Sequence, residues 1–299
     1  VLLVGRRDKN SYALFVFFLL FYRICDFKIS LPFKGKNMTL QEDSVLVNVD
    51  ATVATLTINR PQAMNALNVD VLNSIMLRLE KTLLQSEIRA VIITGSGDKA
   101  FVAGADVAQM HDLGPRAIAD YVTLGQRTMR MLETVRVPVI AAVNGYALGG
   151  GLELALSCDI IIASKLAKFG QPEVNLGIIP GFGGTQRLLA RTGIGAAKRL
   201  ILTGEIISAE EAKMINIVEI LVEPAELMAT AKKYADMIAS KAPLAVQSAK
   251  KILTETAGAW QLGGLQREVE EFLKLFATAD REEGMEAFLK RRSAVFHSR

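Results

Sequence analysis

Cysteine, histidine and tryptophan are scarce in this 299-residue chain, which holds two Cys, two His and one Trp. Cys25 and Cys158 stand far apart, with no CxxC and no histidine companion. A disulfide framework or zinc site therefore has no material, and the usage fits a reducing compartment. His111 and His297 would have to carry any Ser-His, Cys-His or His-metal chemistry, and neither lies near a nucleophile motif. There is no GxSxG and no P-loop, and Gln186 stands where a GxGxxG starting at Gly181 would need its last glycine. A strong excess of one charge is missing too. The net charge is +4, but residues 1–37 hold seven Lys/Arg against two Asp, so residues 38–299 sum to −1. That near-neutral remainder gives a polyanion partner such as nucleic acid little support.

What is present is a composition of 51% hydrophobic and 22% charged residues, as in a soluble globular protein with a substantial core. Residues 1–37 stand apart from it. The uncharged run Ser11–Tyr22 (SYALFVFFLLFY) has twelve residues, fewer than the roughly 20 that span a bilayer. It has the length of a signal core, yet Arg23-Ile24-Cys25-Asp26 follows without a small-x-small cleavage pattern. The segment reads as an over-long translated start with Met38 as initiator. A presequence addressed to an organelle and a membrane-associated extension are the alternatives to a cytoplasmic protein without it.

From Val45 the patterning becomes regular. Val45–Val49 and Thr52–Ile58 read as two strands with alternating faces, and Asn68–Ser86 as an amphipathic helix capped by Asn68. Ala90–Thr94, Val137–Val143 and Asp159–Ala163 are short apolar strands. Four consecutive helices close the chain: Ala225–Ser240, Pro243–Ala257, Gly264–Ala277 and Asp280–Arg292. The expected organisation is an N-terminal extension over 1–37, an α/β core over 38–225 and an all-helical region over 226–299. Leu265, Val269, Phe272 and Phe276 follow helical spacing with no sheet to cover them, which predicts burial against other copies of the chain.

Three segments carry candidate chemistry. In Asn144–Asp159 (NGYALGGGLELALSCD), Gly149, Gly150 and Gly151 allow a tight turn into a helix, with Glu153 in its first turn. Such a glutamate is equally at home as a solvated complement to the helix dipole. Ala103, Gly104, Ala105 and Asp106 form a second small-residue turn, which leaves backbone N–H groups free for a substrate oxygen. Alone, it reads as a strand-to-helix turn with Asp106 as cap. In Phe169–Leu188 (FGQPEVNLGIIPGFGGTQRL), Glu173 sits in a charge-poor segment that suits a buried proton donor, or else a salt bridge to Arg187. Pro180 and Gly181 open the loop behind it.

Taken in order, AGAD, NGYALGGGLEL, CDI, FGQPE, LGIIPGFGGTQRL and the closing REEGMEAFLKRR resemble the crotonase (enoyl-CoA hydratase/isomerase) family from about Val45 to Phe296. The resemblance implies a spiral of ββα units with a helical C-terminal trimerisation region, assembling as a trimer or dimer of trimers. It implies an oxyanion hole from the N–H groups of Ala105 and Gly150, and Glu153 and Glu173 as the pair that adds water to a 2-enoyl-CoA. Ala103, Gly104, Asp106, Gly149, Gly151, Pro180 and Gly181 would border the acyl-CoA, with no cofactor beyond the CoA of the substrate and no metal. Lys99 and Lys290 are the candidates for the CoA phosphates. Ala108 departs from the pattern, since many hydratases carry Lys two residues after that aspartate. The same family includes double-bond isomerases, which usually lack a glutamate at the position of Glu153, and RNA-binding hydratase homologues.

A chain beginning at Met38 keeps every one of these motifs and is predicted to fold and turn over like the full chain. Expression of both forms checks this: an insoluble or inactive short form would mean that residues 1–37 pack on the domain.

Overall fold

The computed structural model describes residues 44–258, 269–270 and 272–295. The extension over 1–37, Leu265 and the opening of the helix expected from Gly264 lie outside the described residues. The chain begins with the antiparallel hairpin β1 (Val45–Asp50) and β2 (Val53–Ile58), paired Asp50 to Val53. Helix α1 (Val69–Leu83) follows, and the Asn68 side chain caps it by accepting from the Val71 N–H at 2.8 Å.

Three pairs of strands then repeat one plan. The pairs are β3 (Ala90–Gly95) with β4 (Ala100–Val102), β5 (Val139–Val143) with β6 (Tyr146–Leu148), and β7 (Ile160–Ser164) with β8 (Lys168–Gly170). The first strand of each pair enters a six-stranded sheet and the second enters a four-stranded sheet. With β9 (Ile206–Ser208) and β10 (Ile220–Val222), the orders are β1-β2-β3-β5-β7-β10 and β4-β6-β8-β9. Helices follow each pair: α2 (Val107–His111) and α3 (Pro115–Thr134), then α4 (Gly150–Leu156), then α5 (Gly184–Thr203). This is the spiral of ββα units that the motifs implied.

The apolar runs of β3, β5 and β7 are explained by burial on both faces. In β3, Val91 and Ile93 point into the main core, while Ala90 and Ile92 point to the other side. There they meet Leu227, Ala231 and Ala235 of a helix spanning Leu227–Ala239. Lys250, on the helix Pro243–Gly258, pins that region from within. Its buried ammonium donates to Leu132 O, Val137 O and Asp159 Oδ2 at 3.0, 3.0 and 2.7 Å.

One expectation about the C-terminal region needs correction. Phe272 and Phe276 are already buried within the chain, their rings stacked 5.9 Å apart, so they do not wait for another copy. Apolar side chains left open there include Leu244, Ile252 and Leu253 on Pro243–Gly258, the last 71% exposed, and Phe288 and Leu289 at the end of Ala279–Leu289. The strands β4, β6, β8 and β9, each of three residues, were too short for a periodic signal.

Helix α4 approaches β4 more closely than any side chain allows. A Cβ on Gly151 would lie 1.8 Å from the Val102 carbonyl oxygen, and both partners are backbone. Gly151→Ala is therefore predicted to cost about 3 kcal/mol or more, through overpacking that rotamers cannot relieve. Thermal melting of the variant checks this, and a wild-type midpoint would refute it.

Candidate active site

The strands β4, β6 and β8 are mutually parallel, so their C-terminal ends emerge side by side. The chain leaves β4 into Ala103–Asp106, leaves β6 into Gly149–Gly150, and leaves β8 into Gln171–Glu173. Segments dozens of residues apart in sequence thus become neighbours at one edge. They border a cavity of about 280 Å³ whose wall includes Ala103, Gly104, Ala105, Gly149, Gly150, Glu153, Glu173 and Gly181. Apart from Asn175, the rest of the wall is apolar, with Val107, Met110, Leu148, Ile178, Phe182 and Phe272 prominent.

Two backbone amides converge there. Leu67 bridges the loop after β4: its N–H donates to Gly104 O at 2.9 Å, and its carbonyl accepts from the Asp106 N–H at 2.9 Å. Because N–H directions alternate along extended backbone, the Ala105 N–H between them faces away from Leu67. Gly150 is the first residue of α4, so its N–H precedes any carbonyl the helix could offer. The two lie close: a Cβ on Gly150 would sit 3.2 Å from the Ala105 nitrogen. Gly149 makes the turn possible at φ +51°, and its N–H donates to Gly170 O at 2.9 Å.

Glu153 does not behave as a solvated first-turn glutamate, since it is 1% exposed. Its Oε1 accepts the Phe182 N–H at 2.8 Å and the Gly184 N–H at 2.6 Å, both from the loop that opens α5. Those donors stabilise the ionised carboxylate in a dry setting. Glu173 is 9% exposed, so it is not the drier of the pair. With its amide nitrogen turned to the carboxylate, fully buried Gln171 donates to Glu173 Oε1 at 2.8 Å and Oε2 at 3.1 Å. The carboxylate rests against the backbone of Gly149, where a Cβ would approach Oε1 to 3.1 Å.

The salt bridge weighed for Glu173 does not form with Arg187. The Arg187 guanidinium pairs instead with Glu133 on α3, Nε to Oε1 at 2.7 Å and Nη2 to Oε2 at 3.1 Å. Asp106 caps α2 by accepting from the Gln109 N–H at 3.2 Å and pairs with Arg60 at 3.0 Å, so it shapes the loop from behind. Asp106, Gly151 and Pro180 are absent from the cavity wall. Lys99 is exposed, and Lys290 is exposed and paired with Glu286, both away from the wall. Sequence reasoning passed over Gln171, Phe182 and Tyr121. Gln171 stood in plain view inside FGQPE, two residues before Glu173. Tyr121 donates its hydroxyl to Leu67 O and meets the Phe182 ring edge-on at 5.4 Å. Burial pushes its phenol far up, so it stays a donor. The buried Cys158 thiol is likewise pushed up by desolvation and hydrogen-bonds Leu154 O, which rules it out as a ready nucleophile.

Comparison with known proteins agrees with this geometry. Residues 48–299 match the sequence profile of the family described as enoyl-CoA hydratase/isomerase. A short-chain-enoyl-CoA hydratase of Clostridium acetobutylicum is 47% identical over 253 residues, covering 85% of this chain and 97% of that protein. A crotonyl-CoA hydratase of Syntrophomonas wolfei is 47% identical over 257 residues, covering 86% and 99%. The crystal structure of an enoyl-CoA hydratase from Bacillus anthracis superposes with a TM-score of 0.70 at 37% identity, covering 86% of this chain and all of that one. The chain belongs to the enoyl-CoA hydratase/isomerase family.

Proposed function

We propose that the protein hydrates short-chain 2-enoyl-CoA thioesters to 3-hydroxyacyl-CoA. The observation that carries this is two buried glutamates, Glu153 and Glu173, lining the same apolar cavity as the N–H groups of Ala105 and Gly150. The relatives named for short-chain and crotonyl thioesters support a short acyl group.

Hydration of a conjugated thioester has three needs: a nucleophilic water at C3, a proton for C2, and relief for the negative charge that gathers on the thioester oxygen. The Ala105 and Gly150 N–H groups meet that oxygen, an arrangement in which one lost donor typically costs about 10²–10³ in rate. Glu153, held ionised by the Phe182 and Gly184 N–H groups, takes a proton from the water as its oxygen bonds to C3. Glu173, steadied by Gln171, gives a proton to C2 as the enolate collapses. The two carboxyls flank one water, and the proton gained by Glu153 must return to Glu173 before a second turnover. CoA enters as part of the substrate, and no further cofactor or metal is required. The cysteine usage favours a reducing compartment, here the cytoplasm.

The assembly we propose is a trimer or dimer of trimers, supported by the open apolar faces of Leu244, Ile252, Leu253 and Phe288. Sedimentation at micromolar concentration should give three or six copies, and a well-folded monomer would defeat this.

Each of Glu153→Gln and Glu173→Gln keeps the shape and removes one acid/base function. Either should lower kcat on crotonyl-CoA by about 10²–10⁴ with little change in KM. The double variant should lose less than the product of the two. An isomerase would respond asymmetrically: Glu173→Gln would abolish the double-bond shift of a 3-enoyl-CoA while Glu153→Gln spared it. That pattern would overturn the hydratase reading.

A further inference from the structure

We infer that Arg187 and Glu133 are a positioning pair for Glu153, acting through the loop at Phe182–Gly184; this rests on the hydratase reading above. The local electrostatics first pose a problem. Arg187 lies in the first turn of α5, at the end where the helix dipole disfavours a cation, and its side chain is 2% exposed. Burying a guanidinium there is costly unless every donor it turns inward is matched.

The donors are matched in a specific direction. Nη1 donates to the Phe182 carbonyl at 2.7 Å, while Nε and Nη2 grip both oxygens of Glu133. Glu133 is 13% exposed at its side chain and is held in turn by Arg130, Nη1 to Oε2 at 3.2 Å. The Thr254 hydroxyl donates to the Glu133 carbonyl at 3.3 Å. The fork is thus anchored to α3 and to the Pro243–Gly258 helix, two elements outside the loop it holds.

The held carbonyl is the significant one. The Phe182 C=O belongs to the peptide between Phe182 and Gly183, flanked by the two peptides whose N–H groups reach Glu153 Oε1. Gly183 adopts φ +107° and Gly184 follows it, so nothing in their side chains restrains this loop. Fixing the middle peptide from one side leaves the outer two N–H groups facing the other way, toward the carboxylate. Arg187 is not part of the cavity wall. Its effect is on where Glu153 sits and how firmly.

A merely structural ion pair would lower stability and leave the chemistry of the folded fraction alone. A positioning pair predicts a loss of kcat at unchanged affinity. Arg187→Met should lower kcat on crotonyl-CoA by about 10–100-fold with KM within about 3-fold, and Arg187→Lys, which still offers a cation to Phe182 O, should recover much of it. Because Arg187→Met alone leaves the largely buried Glu133 with only Arg130, the double variant Arg187→Met/Glu133→Met is made beside it; it removes the pair and leaves no buried charge, since the Arg130 that loses Glu133 is 36% exposed at its side chain. In a Glu153→Gln background the same removal should cost about 3-fold or less, since the group it positions has lost its function. A penalty that multiplies fully in that background overturns the positioning role.

A crystal structure of Arg187→Met/Glu133→Met supplies a readout independent of turnover. The Phe182 and Gly184 N–H contacts to Glu153 should lengthen or break; if both stay at their wild-type distances, the inference fails. Failure of the wild type to hydrate crotonyl-CoA would defeat the functional reading alone, and the crystal structure would still decide the pair.

Discussion

Everything in the site hangs on the parallel pairing of three strands of three residues each. β4, β6 and β8 carry almost no side-chain information, but their shared direction brings the chain out at one edge three times over. Backbone leaving parallel strands is stiff on all sides, held by ladder hydrogen bonds below and by the next helix above. That stiffness is what an oxyanion hole requires, because donors that must reorganise as charge develops lose much of their advantage. The absence of side chains at Gly149, Gly150 and Gly151 has the same origin. Carboxylate, ring and carbonyl approach their backbone so closely that a methyl group would displace the geometry the strands impose.

The second constraint is electrostatic. An isolated carboxylate in a cavity walled by Val107, Met110, Ile178 and Phe272 would take up a proton rather than remain charged. Two backbone N–H groups meet Glu153, and a side-chain amide meets Glu173, so the two acids sit in different company within one cavity. In the hydratase reading proposed above, that difference in surroundings would separate the base from the proton donor. The buried guanidinium of Arg187, bound to the Phe182 carbonyl behind Glu153, is neutralised by Glu133, which offsets the pull an unpaired cation would exert on the nearby carboxylate.

Much of this was legible in the sequence, and unevenly so. The long sheet announced itself, since AVIIT and VPVIAAV are apolar enough to require cover on both faces. The glycine runs signalled close approach and Glu153 signalled a helix start. What single residues could not disclose was convergence: each of AGAD, GGG and QPE has an ordinary reading as a turn, and only their joint resemblance to one family joined them. The second sheet escaped because three residues make less than two periods of a strand. The partner of Arg187 escaped because Glu133 is 54 positions away on another helix, a contact that tertiary packing creates and spacing does not encode. Burial against other copies was expected along Leu265, Val269, Phe272 and Phe276, which share helical spacing with no sheet to cover them. Packing set Phe272 in the chain's own cavity wall with Phe276 buried beside it, and left Leu244, Ile252 and Leu253 of the helix Pro243–Gly258 exposed.

Backbone and side chains therefore divide the labour in a way that bears on how reactions vary within such a fold. The placement of the Ala105 and Gly150 N–H groups depends on strand direction and glycine, so on the proposed reading they would serve any thioester whose chemistry passes through an enolate-like oxygen. Which bond is made or broken depends on groups that hang from that frame and can be exchanged without disturbing it. Glu153 reaches the cavity from the first turn of α4, and Glu173 from a 3₁₀ turn packed against Ala279–Leu289. Neither carboxylate forms part of the core. On the proposed reading, replacing one would alter proton transfer while leaving the Ala105 and Gly150 N–H groups in place, whereas a single methyl at Gly151 would press on the Val102 backbone and disturb the frame itself. The hydratase reading thus rests on the presence of two carboxyls in the right company, and the family reading on the frame that brings them there.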